Sequence, residues 1–180
     1  IRSRQLAGEV IANSFAIDES GGVFVVSDHA LYRFDLGRFP AATWRQVYDR
    51  GTRQKPGQVS VGSGTTPTLI GSAGSPGGGS IAITDNADPR MHVVVYRRGR
   101  SGPGPRPLCS QAIFPAGQGS DENSLIAVPG GLIAENNYGY TGPASIEQGG
   151  STAQPGLQRV DVKRDLSGCP KIWSSNQRAP

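Results

Sequence analysis

Apolar residues along the chain occur in short runs rich in Val, Ile, Tyr and Thr, separated by clusters of Gly, Pro, Asn, Asp and Ser. No stretch keeps a 3.6-residue apolar period for more than a few residues, so helix is largely excluded and strands joined by turns are predicted throughout. A first set of runs falls at 14–18, 23–27, 30–35 and 44–48, preceded by a short strand expected over 9–12. A second set falls at 66–70, 80–84, 91–97 and 108–114, and a third at 123–128, 132–134, 157–162 and 171–174. Each set reads as a four-stranded antiparallel meander, and the three units occupy about 13–50, 65–115 and 122–175 of a single domain over 1–180. Residues 51–64, polar and glycine-rich, read as a linker between the first two.

The second run of every unit ends alike. The three endings are Val25-Val26-Ser27-Asp28-His29, Ile83-Thr84-Asp85-Asn86 and Ile133-Ala134-Glu135-Asn136-Asn137. Each is an apolar run closed by a carboxylate and then by Asn or His, and Asp28, Asp85 and Glu135 lie 57 and 50 residues apart. Repeats of this period point to propellers or solenoids, and four-stranded antiparallel units are the blades of a propeller. A β-sandwich of hairpins is the competing architecture, but it has no need of the same ending on every second strand. The predicted fold is therefore all-β and β-propeller-like, with about three four-stranded antiparallel blades in an incomplete ring, since propellers typically close with about four to eight. Three blades alone would leave long unpaired edges, so the remaining blades are expected from a longer parent chain or from a second copy. A first residue that is Ile rather than Met is read in the same sense, as a processed or truncated product.

In an antiparallel blade the start of the innermost strand and the end of the second emerge on one face. That rule gathers Asn13, Thr66, Glu122 and Asn123 with Asp28, His29, Asp85, Asn86, Glu135, Asn136 and Asn137 at one mouth of the channel. The repeat over roughly 13–175 resembles the propellers of the gluconolactonase, paraoxonase and strictosidine-synthase-like families. The resemblance implies a divalent ion at the channel mouth, with Asp85-Asn86 and Glu122-Asn123 similar to the families' ligand pairs. Calcium takes six to eight oxygen ligands, which suits a set made of Asp28, Asp85, Asn86, Glu122, Asn123, Glu135 and Asn136. Such an ion would polarise an ester or lactone carbonyl of a small molecule, with His29 as general base. The bland reading of the same residues is turn chemistry, in which Asx side chains bond nearby backbone amides. The function expected is thus a hydrolase or lactonase, or else a non-catalytic propeller that binds a ligand or a protein.

Charge and cysteine content adjust this picture only slightly. The net charge of +4 comes mainly from Arg, densest at Arg97, Arg98, Arg100 and Arg106, but that segment carries a single aromatic residue, Tyr96, so no nucleic-acid partner is expected. No run approaches the ~20 apolar residues of a membrane helix. Cys109 and Cys169, without metal or redox spacing, suit one structural disulfide in a secreted or periplasmic protein, the alternative being two unrelated buried thiols. The glycine-rich runs 62–64, 71–75 and 77–79 match neither a nucleophile elbow, a phosphate loop nor a dinucleotide fingerprint. His92 reads as a packed strand position. Tyr138, Tyr140 and Trp173 read as core aromatics or as the lining of a sugar or quinone site.

Overall fold

The computed structural model describes residues 3–37, 40–72, 79–100, 106–142 and 153–178. The small-residue loop expected over 71–79, the Gly/Pro/Arg loop after Tyr96 and the long loop over 141–155 lie largely outside these residues. Among the described residues there is no helix, and twelve strands form three four-stranded antiparallel sheets in chain order. The first holds β1 (Ala16–Ile17), β2 (Gly22–Val26), β3 (Ala30–Leu36) and β4 (Pro40–Val47). The second holds β5 (Thr68–Ile70), β6 (Ser80–Thr84), β7 (His92–Arg97) and β8 (Pro107–Ala112). The third holds β9 (Ile126–Val128), β10 (Gly131–Glu135), β11 (Leu157–Asp161) and β12 (Lys171–Ser175). The predicted all-β, blade-like architecture is the one observed. Two local expectations differ: no strand forms over 9–12, and β4 starts at Pro40 because Ala41 and Ala42, which carry little strand signal, still pair with Asp35 and Phe34.

The sheets stack face to face. Phe24, Val26, Leu31 and Trp44 of the first pack on Ile81, Ile83, Val94 and Tyr96 of the second. On its other face the second sheet places Ala82, Val93 and Val95 against Leu132, Ala134 and Val160 of the third. Period-two alternation thus sends Ile81 and Ile83 one way and Ala82 the other, so every residue of β6 is buried. The outward face of the first sheet is covered by the N-terminal segment, where Leu6 packs against the cluster of Ala30, Tyr32 and Phe34. Each sheet-to-sheet interface also has a polar or covalent tie. Arg98 meets Glu19 at 2.6 Å and Trp44 Nε1 donates to the Gly99 carbonyl between the first and second sheets. Cys109 in β8 is bonded to Cys169, just before β12, between the second and third.

Residues 51–64 are not a surface linker. The step from Val10 to Ala16 in the first unit, like that from Ser120 to Ile126 in the third, is six residues, whereas Asp49 to Thr68 in the second is nineteen. The extra length forms a strap across one end of all three sheets. Ser63 N donates to Tyr48 Oη at 2.9 Å, and that hydroxyl donates to the Ser27 carbonyl. Lys55, buried, donates through Nζ to the carbonyls of Asn86 and Ala87 at 3.0 and 2.7 Å and lies 3.6 Å from Asp88. At the third unit the Pro56 carbonyl accepts from Ser120 Oγ at 2.8 Å and from Gly139 N at 3.3 Å. Glycine permits the closest approaches: Gly57, at φ +94°, has backbone of Asn137 where a Cβ would sit.

Two outcomes test this architecture. Replacing Cys109 and Cys169 together by Ser opens a loop of 60 residues, and denaturant unfolding should show a loss of roughly 2–4 kcal/mol. Gly57→Ala combines a strained φ with a collision against Asn137 and should cost roughly 1–3 kcal/mol by the same measurement.

Candidate functional site

The backbone geometry shared by the three repeated endings differs from the register suggested by their carboxylates. The amides of Ser27, Asp85 and Asn136 donate to the carbonyls of Ala30, His92 and Gly156, each at 2.9 Å, as the chain turns toward the third strand of its sheet. Their side-chain oxygens accept from backbone amides two residues on: Ser27 Oγ from His29, Asp85 Oδ1 from Ala87 and Asn136 Oδ1 from Tyr138. The next residue then grips the segment coming into its unit. Asp28 N donates to the Val10 carbonyl, Asn86 N to that of Asp49 and Asn137 N to that of Ser120, at 2.9, 2.9 and 2.8 Å. The equivalent positions are therefore Asp28, Asn86 and Asn137. Matching Asp28 with Asp85 and Glu135 puts the repeat one or two residues out of register. Ser, Asp and Asn all cap turns of this kind, so the role repeats while the residue changes.

Side chains extend the grip. Asp28 Oδ1 accepts from Val10 N at 2.8 Å and its Oδ2 accepts from Arg50 at 3.0 Å. Burial opposes ionisation of Asp28, yet Val10 N–H, His29 and Arg50 together hold its carboxyl below the usual range. His29 is enclosed by the same group, with Nδ1 2.9 Å from Asp28 Oδ1 and Nε2 2.9 Å from Arg50 Nη1. Because a guanidinium only donates, Nε2 accepts from it and the ring keeps no lone pair for a substrate proton. Tyr48, whose hydroxyl is pushed up to about 12 by burial, closes this group from the strap side.

In the second unit, Asn86 Nδ2 donates to the carbonyls of Arg50 and Arg53, both at 3.0 Å. Asp85 accepts from His92 N at 2.6 Å and meets His92 Nδ1 at 2.8 Å, and burial pushes its carboxyl up in spite of these bonds. His92 is thereby an Asp-oriented histidine whose Nε2 is left for other partners. Strand periodicity places it at the start of β7 and carries no sign of the turn that brings Asp85 beside it.

The third unit gathers the largest share of the expected ligands. Glu135 Oε1 accepts from Asn123 Nδ2 at 3.0 Å and from Asn137 Nδ2 at 2.9 Å, and Asn137 Oδ1 accepts from Glu122 N at 2.8 Å. Asn136 is spent on structure, donating to the Gln118 carbonyl and accepting from Ser120 N. Glu122 accepts from Val59 N of the strap at 3.0 Å, and burial raises its carboxyl above the ordinary range. Asp121 was not singled out by its sequence. It is 1% exposed, its Oδ1 accepts from Asn123 N, and its buried Oδ2 has no hydrogen-bond partner. Burial, and then repulsion from Glu135 and Glu122, push its carboxyl well above the usual value.

Beside this group is a cleft of about 510 Å³ between the strap and the third unit, lined among others by Gln58, Val59, Glu122, Asn123, Asn137 and Tyr140. A cleft of about 580 Å³ opens at the opposite end of the third sheet, but its one carboxylate, Asp161, is bonded to Arg159 at 2.6 Å. We take the strap-side cleft as the candidate site. The expected ligands thus fall into three separate groups, Asp28 with His29, Asp85 with Asn86, and Glu122, Asn123, Glu135 and Asn136. Among the described residues no three His, Cys, Asp or Glu side chains are grouped to hold a metal. Of the aromatic trio only Tyr140 reaches the cleft, and Trp173 lies on β12.

No helix among the described residues is long and apolar enough to cross a membrane. No family model matches the chain and no solved structure matches it. An uncharacterized protein of Archaeoglobus fulgidus is 37% identical over 91 residues, which cover 50% of this chain and 17% of that protein. The matched stretch is thus less than a fifth of the relative's own length.

Proposed function

We propose that this chain is part of a β-propeller of the gluconolactonase, paraoxonase and strictosidine-synthase-like kind, secreted or periplasmic, that binds a small positively charged ligand in the strap-side cleft. The observation that carries this reading is the pair Asp121 and Glu122: Glu122 lines the cleft, and the buried Asp121 beside it in sequence has an oxygen with no hydrogen-bond partner, burial raising the proton affinity of both carboxyls. A cation beside Glu122 would favour the ionised form of its carboxyl and would offset the repulsion that Glu135 exerts on Asp121. Compartment rests on the Cys109–Cys169 disulfide, which suits oxidising surroundings.

Calcium enters this reading as a ligand of the cleft. A cage spanning three units does not fit, because Asp28 and Asp85 are committed to their turns and, among the described residues, no three His, Cys, Asp or Glu side chains are grouped to hold a metal. A bound ion would supply positive charge beside Glu122, while the chain's own residues form the walls: Asn123 and Asn137 orient Glu135, and the strap holds Glu122 through Val59 N. A second, hydrolytic reading is favoured by the Asp85–His92 pair, in which the carboxylate fixes the imidazole tautomer and leaves Nε2 as a base.

Three measurements bear on these readings. Calorimetric titration with CaCl₂ should show binding to the wild type and at least about tenfold weaker binding to Glu122→Gln, equivalent to ~1.4 kcal/mol. No heat from either protein would sink the calcium reading. Because the folded-state value of Asp121 is raised, stability tied to it is full at acid pH and is lost as pH rises through the unfolded value of 3.8 toward the folded one. Asp121→Asn should remove that slope and stabilise the protein at pH 7 by roughly 1–3 kcal/mol, while abolishing any added stability from calcium. For the hydrolytic reading, His92→Ala should lose arylester turnover while His29→Ala keeps it; equal rates in wild type and His92→Ala would remove it.

A further inference from the structure

In the first sheet, Glu9 and Tyr32 hold the guanidinium of Arg45 between them. Arg45 Nη2 donates to Glu9 Oε1 at 2.9 Å, Arg45 Nε donates to Tyr32 Oη at 2.8 Å, and Cζ lies 5.5 Å from the centre of the Tyr32 ring. The Tyr32 hydroxyl donates to the same Glu9 oxygen at 2.7 Å. A carboxylate and a tyrosine suit a guanidinium because it is planar, rich in donors and weakly hydrated, so it can pair at its edge and stack on its face. Arg4, Arg33 and Arg106 likewise lie over the rings of Phe34, Phe24 and Trp44, at 5.9, 5.8 and 4.8 Å.

The strap-side cleft has the same two residue types without the cation. Glu122 and Tyr140 both line it, and none of its lining residues is Lys, Arg or His, although the chain holds 18 Lys and Arg. Its polar side chains are turned to offer oxygens. Glu122 Oε1 accepts from Val59 N at 3.0 Å, and its other oxygen has no hydrogen-bond partner among the described residues. Asn123 Nδ2 and Asn137 Nδ2 both donate to Glu135, and Gln58 Nε2 donates to the Gly62 carbonyl. The amide nitrogens are thus directed at the protein, and the side-chain oxygen of Asn123 is left as a second acceptor one residue on from Glu122. Tyr140 adds an aromatic wall and Val59, 80% exposed, an aliphatic one.

We propose that the strap-side cleft binds a guanidinium group, with Glu122 pairing its charge, the Asn123 oxygen accepting a further N–H and the Tyr140 ring stacking on its plane. This rests on the reading of the cleft as a site for a small positively charged ligand and names the class of that ligand. Calcium would complete its six to eight oxygen ligands there mainly with water, whereas a guanidinium finds partners for both its edge and its face. An ammonium is compact and strongly hydrated, so it loses more on entering beside a half-buried carboxylate and has no plane to stack. The volume of about 510 Å³ also lies within the roughly 300–1,000 Å³ of sites for small organic molecules.

Calorimetric titration with acetyl-arginine-amide, acetyl-lysine-amide, methylguanidinium chloride and CaCl₂ tests this. The arginine amide should bind several-fold more tightly than the lysine amide, a comparison made on the wild type alone. Glu122→Gln should weaken arginine-amide binding about tenfold, and Tyr140→Leu should weaken it several-fold. The unfolding midpoint of each unliganded variant checks that it is folded. Methylguanidinium binding as tightly as the arginine amide would support the proposal with a free guanidine as ligand; weaker methylguanidinium binding would support it with an arginine borne by a peptide. Equal binding of the arginine and lysine amides, or arginine-amide binding unchanged by Glu122→Gln, would overturn it. Heat from CaCl₂ with none from either guanidinium compound would overturn it while leaving the cation site standing. Heat from none of the four would remove the cation site as well.

Discussion

The interaction on which this structure depends is a backbone hydrogen bond made three times: the amide of Asp28, Asn86 or Asn137 to a carbonyl of the segment entering its own unit. A buried amide without a partner costs as much as a lost hydrogen bond, so each of these bonds ties the end of a second strand to the incoming chain. That ties one end of every sheet to the same rim, and the nineteen-residue passage from Asp49 to Thr68 lies across it, bonded to all three units. Buried Lys55 is held there by two carbonyls and a carboxylate. Burial lowers its affinity for the proton, and Asp88 and Asp85 restore part of it.

The strap covers one end of the three sheets. It takes Asn86 Nδ2 as an anchor and leaves buried oxygens without a hydrogen-bond partner at Asn86 Oδ1 and Asp121 Oδ2, while at the third unit Val59 N holds only one oxygen of Glu122. The asymmetry at this end of three similar sheets therefore comes from where an insertion lies. In the stack itself, symmetry is closer: the pair Arg33 and Trp44 of the first sheet recurs as Arg159 and Trp173 in the third, and the second has Val95 and Cys109 there, the cysteine that bonds across to the third sheet.

Strand composition, turn residues and the repeated endings were enough to read out an all-β chain of three four-stranded units, because alternation along a strand and Gly or Asx at its end are local requirements. The cysteine pair was legible too, for it needs only two thiols and no competing motif. The candidate site was legible in part: Glu122, Asn123 and Glu135 do come together. Asp121 escaped notice since a carboxylate among turn residues looks solvated until burial is known, and His92 since its carboxylate partner lies seven residues back across a turn.

What the amino-acid order determined by itself was the set of strands, their grouping and the side of each strand that is apolar. Only the tertiary structure decided which repeat positions are equivalent, because equivalence lies in backbone bonds to a distant segment that Ser, Asp and Asn can support alike. It also decided that 51–64 is a strap, since a glycine-rich polar stretch has the same local signature whether it is solvated or held against three sheets. Long-range contact, not local preference, separates those outcomes.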